Sequence, residues 1–188
     1  HLPIELCDGG GLVERLAASA TYCEREVAWL VRQLLAAVQH LHDNAIIHMD
    51  IKPENLVFAS RRDDSCVKLI DFSLASFFYS PTDPGGTPDF VAPELLTRPE
   101  HYAKNGCGPE VDMWAVGVMI FFLLSGQTPF QAPTLEAVLQ RVKTGEWAFH
   151  GRRWALVSEG ARDLVSSLLK PDPAQRLSAA EALEHPWL

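Results

Sequence analysis

Residues 113–124 form a run of twelve side chains with no charge and no strong polarity, closed by Asp112 before it and Ser125-Gly126 after it. A membrane-spanning helix needs about 20 apolar residues, whereas a run of roughly 10–14 is characteristic of a helix buried in a core. The segment is therefore read as a central buried helix, and the rest of the chain must cover it. The chain is long enough to do so. Its 188 residues are 47% apolar and 21% charged, the balance of one globular domain with a substantial core.

A net charge of −8 argues against a general nucleic-acid or membrane-surface binder. The cysteines, Cys7, Cys23, Cys66 and Cys107, show neither metal-ligand spacing nor a disulfide framework. Free thiols in a reducing compartment, cytoplasmic or nuclear, are the simplest reading. The opening His1-Leu2-Pro3-Ile4-Glu5 lacks the basic stretch and apolar core of a signal peptide. It starts without methionine, as a piece of a longer chain would.

Val27, Leu30, Val31, Leu34, Leu35, Val38 and Leu41 recur at helical spacing, which predicts a long helix over residues 21–43 with Asn44 as its stop. Two short apolar runs follow, Leu56-Val57-Phe58 and Val67-Lys68-Leu69-Ile70. The polar turn Arg61-Arg62-Asp63-Asp64-Ser65 separates them, so the pair reads as a small hairpin. Pro81, Pro84, Gly85, Gly86 and Pro88 make residues 73–91 an irregular loop. From Pro109 the pattern is helical: the buried helix, then residues 134–143, 159–169 and 178–183, the last opened by a capping box of Ser178 and Glu181. The expected fold is mainly α with one small β element.

The chemistry is concentrated between the long helix and the hairpin, in His48-Met49-Asp50-Ile51-Lys52-Pro53-Glu54-Asn55. Asp50 can accept or orient a proton. Pro53 biases Lys52 toward an extended backbone, which points its cation the same way as Asp50. Asn55 offers a neutral oxygen. The hairpin returns the chain to its start and so brings Asp71 to the same end. A base, a cation and two oxygen ligands for a hard metal such as Mg²⁺ then surround one spot. Such a set suits phosphoryl transfer, in which catalysis is mostly positioning and charge stabilisation.

The order His48-Met49-Asp50…Asn55, then Asp71-Phe72-Ser73, then Ala92-Pro93-Glu94 resembles the protein-kinase signature set. Asp112-Met113-Trp114-Ala115-Val116-Gly117 and Arg176 extend the resemblance over essentially the whole chain. Lys52-Pro53-Glu54-Asn55 and Gly86-Thr87-Pro88 resemble the serine/threonine class. Residues 124–130 and the ending Glu184-His185-Pro186-Trp187 resemble the calcium/calmodulin-dependent kinase group; calmodulin dependence itself stays open.

The resemblance implies a kinase C-lobe, from the hinge to the last helix of the domain, that uses ATP and Mg²⁺. It implies that Asp50 is the catalytic base, that Lys52 steadies the γ-phosphate, and that Asn55 and Asp71 hold the metal. Thr87 would bridge Asp50 and Lys52 and help form the substrate floor. Backbone groups of Glu5 and Cys7 would bind adenine, Val57 would pack beneath its ring, and Glu54 would lie near ribose and a basic substrate residue. Glu94 and Arg176 would form a buried ion pair, and Asp112 would hold the catalytic loop's backbone. The partner would be a protein carrying a Ser or Thr hydroxyl, with a preference for upstream basic residues resting on Glu54, since Gly11 stands where many such kinases have an acid.

Several positions depart from the pattern. The family's Gly-rich loop, strand lysine and helix glutamate all precede the hinge, so the N-lobe is missing and Gly9-Gly10-Gly11 does not replace it. Little or no activity is expected of these residues alone. Met49 replaces an arginine that commonly pairs with a loop phosphate, which implies a kinase independent of phosphorylation at Ser80 or Thr82. Ser73 replaces a glycine and is read as a tolerated substitution. Two readings follow: the C-lobe of a serine/threonine kinase, or a truncated or pseudokinase lobe acting as a scaffold. An exposed apolar patch near Leu6, Val57 and Ile70 is expected of either. His48 is read as a core histidine, His40 and His42 as solvated or capping residues, and the pairs Phe77-Phe78 and Phe121-Phe122 as packing residues.

Overall fold

The computed structural model describes residues 4–18, 23–62, 64–81 and 87–188. Eight α-helices and four short strands follow one another among them. The predicted buried helix is α5, Glu110–Ser125, with thirteen of its residues buried from Val111 to Leu124. Gly126 ends it in the left-handed region at φ 79, where glycine alone avoids a Cβ penalty. α2, Glu24–Asp43, lays Val27, Leu30, Val31, Leu34, Leu35 and Val38 inward. It packs on α5 and on α8, Ala179–Leu183. α7, Glu159–Leu168, covers another side of α5. A Cβ on Gly117 would lie 2.9 Å from Leu168 Cβ, so the glycine sets how closely these two helices approach.

The helix ends follow local chemistry. Glu26 accepts from the Cys23 amide at 2.7 Å to start α2, and Asn44 Nδ2 donates to His40 O at 2.8 Å to finish it. The expected start at Thr21 lies outside the described residues. Thr134 caps α6, Leu135–Thr144, through Ala137 N at 3.2 Å. Ser178 and Glu181 form the predicted capping box.

The hairpin forms from β2, Leu56–Phe58, and β3, Val67–Leu69, antiparallel with Val57 opposite Lys68. The expectation of a single β element needs correction. β1, Ile46–Ile47, pairs antiparallel with β4, Ser76–Phe77, inside the segment read as irregular. Two-residue strands have no periodicity to detect, and their partners are 30 residues apart. Three short helices also escaped the pattern: α1, Leu12–Ala18; α3, Pro93–Thr97; and α4, Pro99–Asn105. A short 3₁₀ turn, Pro88–Phe90, precedes α3. Phe77 is a second correction, since it is 64% exposed and not a packing residue, while Phe121 is buried.

All four cysteines are free. Among the described residues no helix is long and apolar enough to cross a membrane. Leu6 is 87% exposed, with Ile4, Ile70 and Phe72 also exposed, but Val57 is half-buried, its β2 backbone bridged to Gly11.

Candidate active site

α2 and β1 deliver the chain to His48, and the loop turns there through Met49 at φ 67. That value is costly for a residue with a Cβ and needs external support. Asp112, at the start of α5, supplies it. Its Oδ2 accepts from His48 N and its Oδ1 from Met49 N, each at 2.9 Å. His48 is fully buried, donates Nε2 to Ile70 O at 3.0 Å, and accepts the Asp50 amide on Nδ1 at 3.3 Å. It is a core histidine that braces both sides of the site.

The turn brings four polar side chains together. Lys52 adopts the extended backbone that Pro53 favours, φ −159 and ψ 164. Its Nζ lies 2.7 Å from Asp50 Oδ2 and donates to Thr87 Oγ1 at 3.0 Å. The Thr87 hydroxyl in turn donates to Asp50 Oδ1 at 3.2 Å. Asn55 Nδ2 donates to Asp50 Oδ2 at 3.0 Å and to Asp50 O at 2.7 Å. Asp50 and Asn55 are buried, at 8% and 5% exposure, so this order is not a solvent accident. Thr87 opens the Pro88–Phe90 turn, whose Asp89 accepts from Thr128 Oγ1 at 2.8 Å.

The hairpin returns Asp71 to the same end, since Ile70 N donates to Asn55 O at 2.9 Å. Asp71 is exposed, has φ 63, and accepts the Ser73 amide on Oδ1 at 3.2 Å. The Ser73 hydroxyl and then its amide hold this carboxyl below its ordinary range, with smaller help from Lys52 and His48. Asn55 commits its amide nitrogen to Asp50, which leaves its side-chain oxygen available as a ligand. One neutral oxygen and one carboxylate suit Mg²⁺, which binds through one or two protein carboxylates plus phosphates and water. Among the described residues no group of three or more His, Cys, Asp or Glu could hold a metal by itself.

The remaining predicted residues lie along the hairpin edge. Glu5 pairs with Lys68 of β3 at 3.2 Å. Cys7 is half-buried, and the next residues join the hairpin through Asp8 N to Ala59 O and Gly9 N to Phe58 O. Val57 faces Lys68 across the ladder, and Glu54 is exposed in the turn before β2. Further out, Glu94 and Arg176 form the expected buried pair, with two bonds of 2.6 Å. Arg176 also donates to Glu110 O and Lys170 O and lies over the Trp114 ring.

One residue was misread. His42 is neither solvated nor a cap: its Nε2 stands 3.0 Å from Asp112 Oδ2. The signal was present, because His42 sits one helical step beyond Val38 on the buried stripe of α2.

Fold and site together define a protein kinase domain, and residues 1–188 match the protein kinase domain family along their full length. The chain belongs to that family. It is 43% identical over 195 residues to calcium-dependent protein kinase 3 of Oryza sativa subsp. japonica, covering all of this chain and 33% of that protein. It is 42% identical over 195 residues to calcium-dependent protein kinase 8 of Arabidopsis thaliana, covering all of this chain and 34% of the relative. Against calcium/calmodulin-dependent protein kinase type I of Schizosaccharomyces pombe it is 40% identical over 193 residues, covering all of this chain and 56% of the relative. The chain thus spans a third to about half of the length of these relatives.

Proposed function

We propose that the chain is the C-lobe of a serine/threonine protein kinase, running from the hinge to the last helix of the domain. The small lobe, with its Gly-rich loop, strand lysine and helix glutamate, lies outside these residues, and the 188 residues alone transfer little or no phosphate. The observation that carries the reading is the closed circuit of Asp50, Lys52, Thr87 and Asn55, with Asp71 returned to the same end by the hairpin.

In this reading Asp50 orients the substrate hydroxyl and takes up its proton. Lys52, already beside Asp50, sets a cation against charge developing on the transferred group. Thr87 fixes the distance between them and forms part of the floor on which a substrate Ser or Thr lies. Asn55 and Asp71 hold Mg²⁺. Bound MgATP supplies the transferable γ-phosphoryl group and neutralises its oxygens. Backbone groups of Glu5 and Cys7 receive adenine against Val57. Glu54, exposed beside the site, favours basic residues upstream of the phosphorylated hydroxyl. Calcium-linked regulation of the whole protein, including through calmodulin, is suggested by the relatives' names alone. A cytoplasmic or nuclear setting agrees with four free thiols.

The test is phosphate transfer by the full-length protein from MgATP to Ser/Thr peptides with and without upstream arginine. Transfer that is lost in both Asp50→Asn and Asp71→Asn is the expected result. Equal turnover by wild type and Asp50→Asn overturns the assignment. A scaffold role is the second reading, with the exposed Ile4, Leu6, Ile70 and Phe72 as its contact surface. A folded full-length protein that binds partners yet transfers no phosphate would select it.

A further inference from the structure

We propose that Tyr79 is a tyrosine-phosphorylation site at which added phosphate switches the kinase off; the proposal rests on the kinase reading of Asp50 and Thr87 above. Tyr79 lies in the chain between Asp71 and Thr87. Its side chain is 65% exposed, and its hydroxyl makes no hydrogen bond to any described residue, so the oxygen is open to a modifying enzyme.

Backbone contacts hold this stretch in place. Tyr79 N donates to Cys107 O at 2.9 Å, in the turn between α4 and α5. Gly106, at φ 69, faces the Tyr79–Ser80 peptide so closely that a Cβ there would collide with Ser80 N and Ser80 O. Tyr79 itself has φ 56, a value that costs a residue bearing a Cβ and persists only while its surroundings impose it. The turn is therefore a strained latch. It closes without a phosphate, and any force that lifts Tyr79 also relieves its backbone.

The charges around the ring supply that force once phosphate arrives. A Cβ on Gly108 would stand 2.9 Å from Tyr79 Oη and closer still to Glu110 Oε2, so phenol and carboxylate flank one glycine. The cavity beside them, about 290 Å³, is also lined by Glu94, His101, Tyr102 and Asn105, with no lysine or arginine among its described lining residues. Phosphates that order a segment do so by meeting arginine, whereas one placed beside a carboxylate disrupts by repulsion. A group of about −1.5 to −2 charge on Oη meets Glu110 and no cation, and this fixes the sign of the effect. In the modifying step Tyr79 Oη bonds to the γ-phosphorus of ATP, the bond from that phosphorus to ADP breaks, and the phenol proton passes to the base of a separate protein tyrosine kinase. Once released, the segment no longer presents Thr87 to Asp50 and Lys52 in a fixed geometry, while Cys7 and Val57 on the adenine side are untouched.

The experiment treats the full-length protein with a purified tyrosine kinase and MgATP, reads occupancy of Tyr79 by mass spectrometry, and carries Tyr79→Phe through in parallel. Expected is phosphate on Tyr79, a kcat/KM for a Ser/Thr peptide lowered about tenfold or more, KM for ATP within about twofold, and recovery after a tyrosine-specific phosphatase. Tyr79→Phe keeps its activity through the same treatment, which sets aside phosphate placed elsewhere. Amide hydrogen exchange, measured without nucleotide, accelerates at Tyr79 and Ser80 in the phosphorylated protein and is unchanged along α5. Unchanged or raised activity in protein that carries the phosphate overturns the proposal, and so does unchanged exchange. A folded protein in which the tyrosine kinase cannot modify Tyr79 overturns it as well, as does exchange accelerated equally through α5, which marks general loosening. If the untreated protein transfers no phosphate to peptide, the exchange comparison still decides the latch, and only the kinase reading falls.

Discussion

Arg176 closes on Glu94 through two hydrogen bonds of 2.6 Å, joining side chains 82 positions apart. Both are buried, and the same guanidinium satisfies the Glu110 and Lys170 carbonyls. It ties α3 to the start of α5 and to the segment before α8.

Arg176→Leu should therefore destabilise the fold by about 3–5 kcal/mol, the range for stranding one partner of a buried pair. The double variant Glu94→Leu with Arg176→Leu should recover only part of this, because the carbonyls stay unpaired. Denaturant unfolding of wild type, single and double variants checks both statements.

Asp50→Asn keeps the shape and most contacts of the site but removes the proton acceptor. The kinase reading gives a fall in kcat of about 10²–10⁴-fold with little change in melting temperature. Single-turnover phosphate transfer alongside thermal unfolding separates the two effects.

Cys107 is 1% exposed, and burial, then the carboxylates of Asp112, Glu94 and Glu110, push its thiol from about 9 up to about 12. The folded thiol stays protonated where the unfolded one ionises. Its contribution to stability is full below pH 9 and is lost as pH rises toward 12. At pH 8 it should resist iodoacetamide while the exposed Cys23 and Cys66 react, and mass spectrometry of the alkylated protein reads this directly.

Met49 packs against the core and borders a small void with Thr87, Phe90 and Val91. A neutral thioether there gives a loop phosphate no charge to grip. Phosphatase treatment of the full-length protein should leave activity within about twofold; a loss of tenfold or more would refute the idea that the loop is set without phosphate.

Gly117→Ala should cost about 1–3 kcal/mol, since the added methyl meets Leu168 Cβ at 2.9 Å and both helices are held by the core. Chemical denaturation gives the value. A neutral result would mean that α7 can slide.

The long elements were legible because burial imposes a period on them. α2 shows its stripe, α5 shows none because every face is covered, and Ser178 with Glu181 marks a cap chemically. The site was legible through spacing, since a hairpin of known length had to return Asp71 to Asn55. The β1–β4 ladder was not, because two-residue strands leave no pattern, and neither were the five-residue and seven-residue helices that carry Glu94 and Tyr102. His42 was lost for a different reason: a histidine near a helix end looks solvated until one asks which face it occupies.

The β1–β4 ladder also makes a closed circuit of the chain. Residues 46–77 leave the ladder, pass through His48, Asp50, Lys52, Asn55 and Asp71, and come back to it. Thr87 is the one member of the polar circuit outside the ring. Inserting or deleting a residue between the β1–β4 ladder and the β2–β3 hairpin would throw the ring out of register, so natural length variation should collect at the hairpin tip around Arg61 and Arg62, where the paired strands on either side keep their register and the chain already turns in solvent.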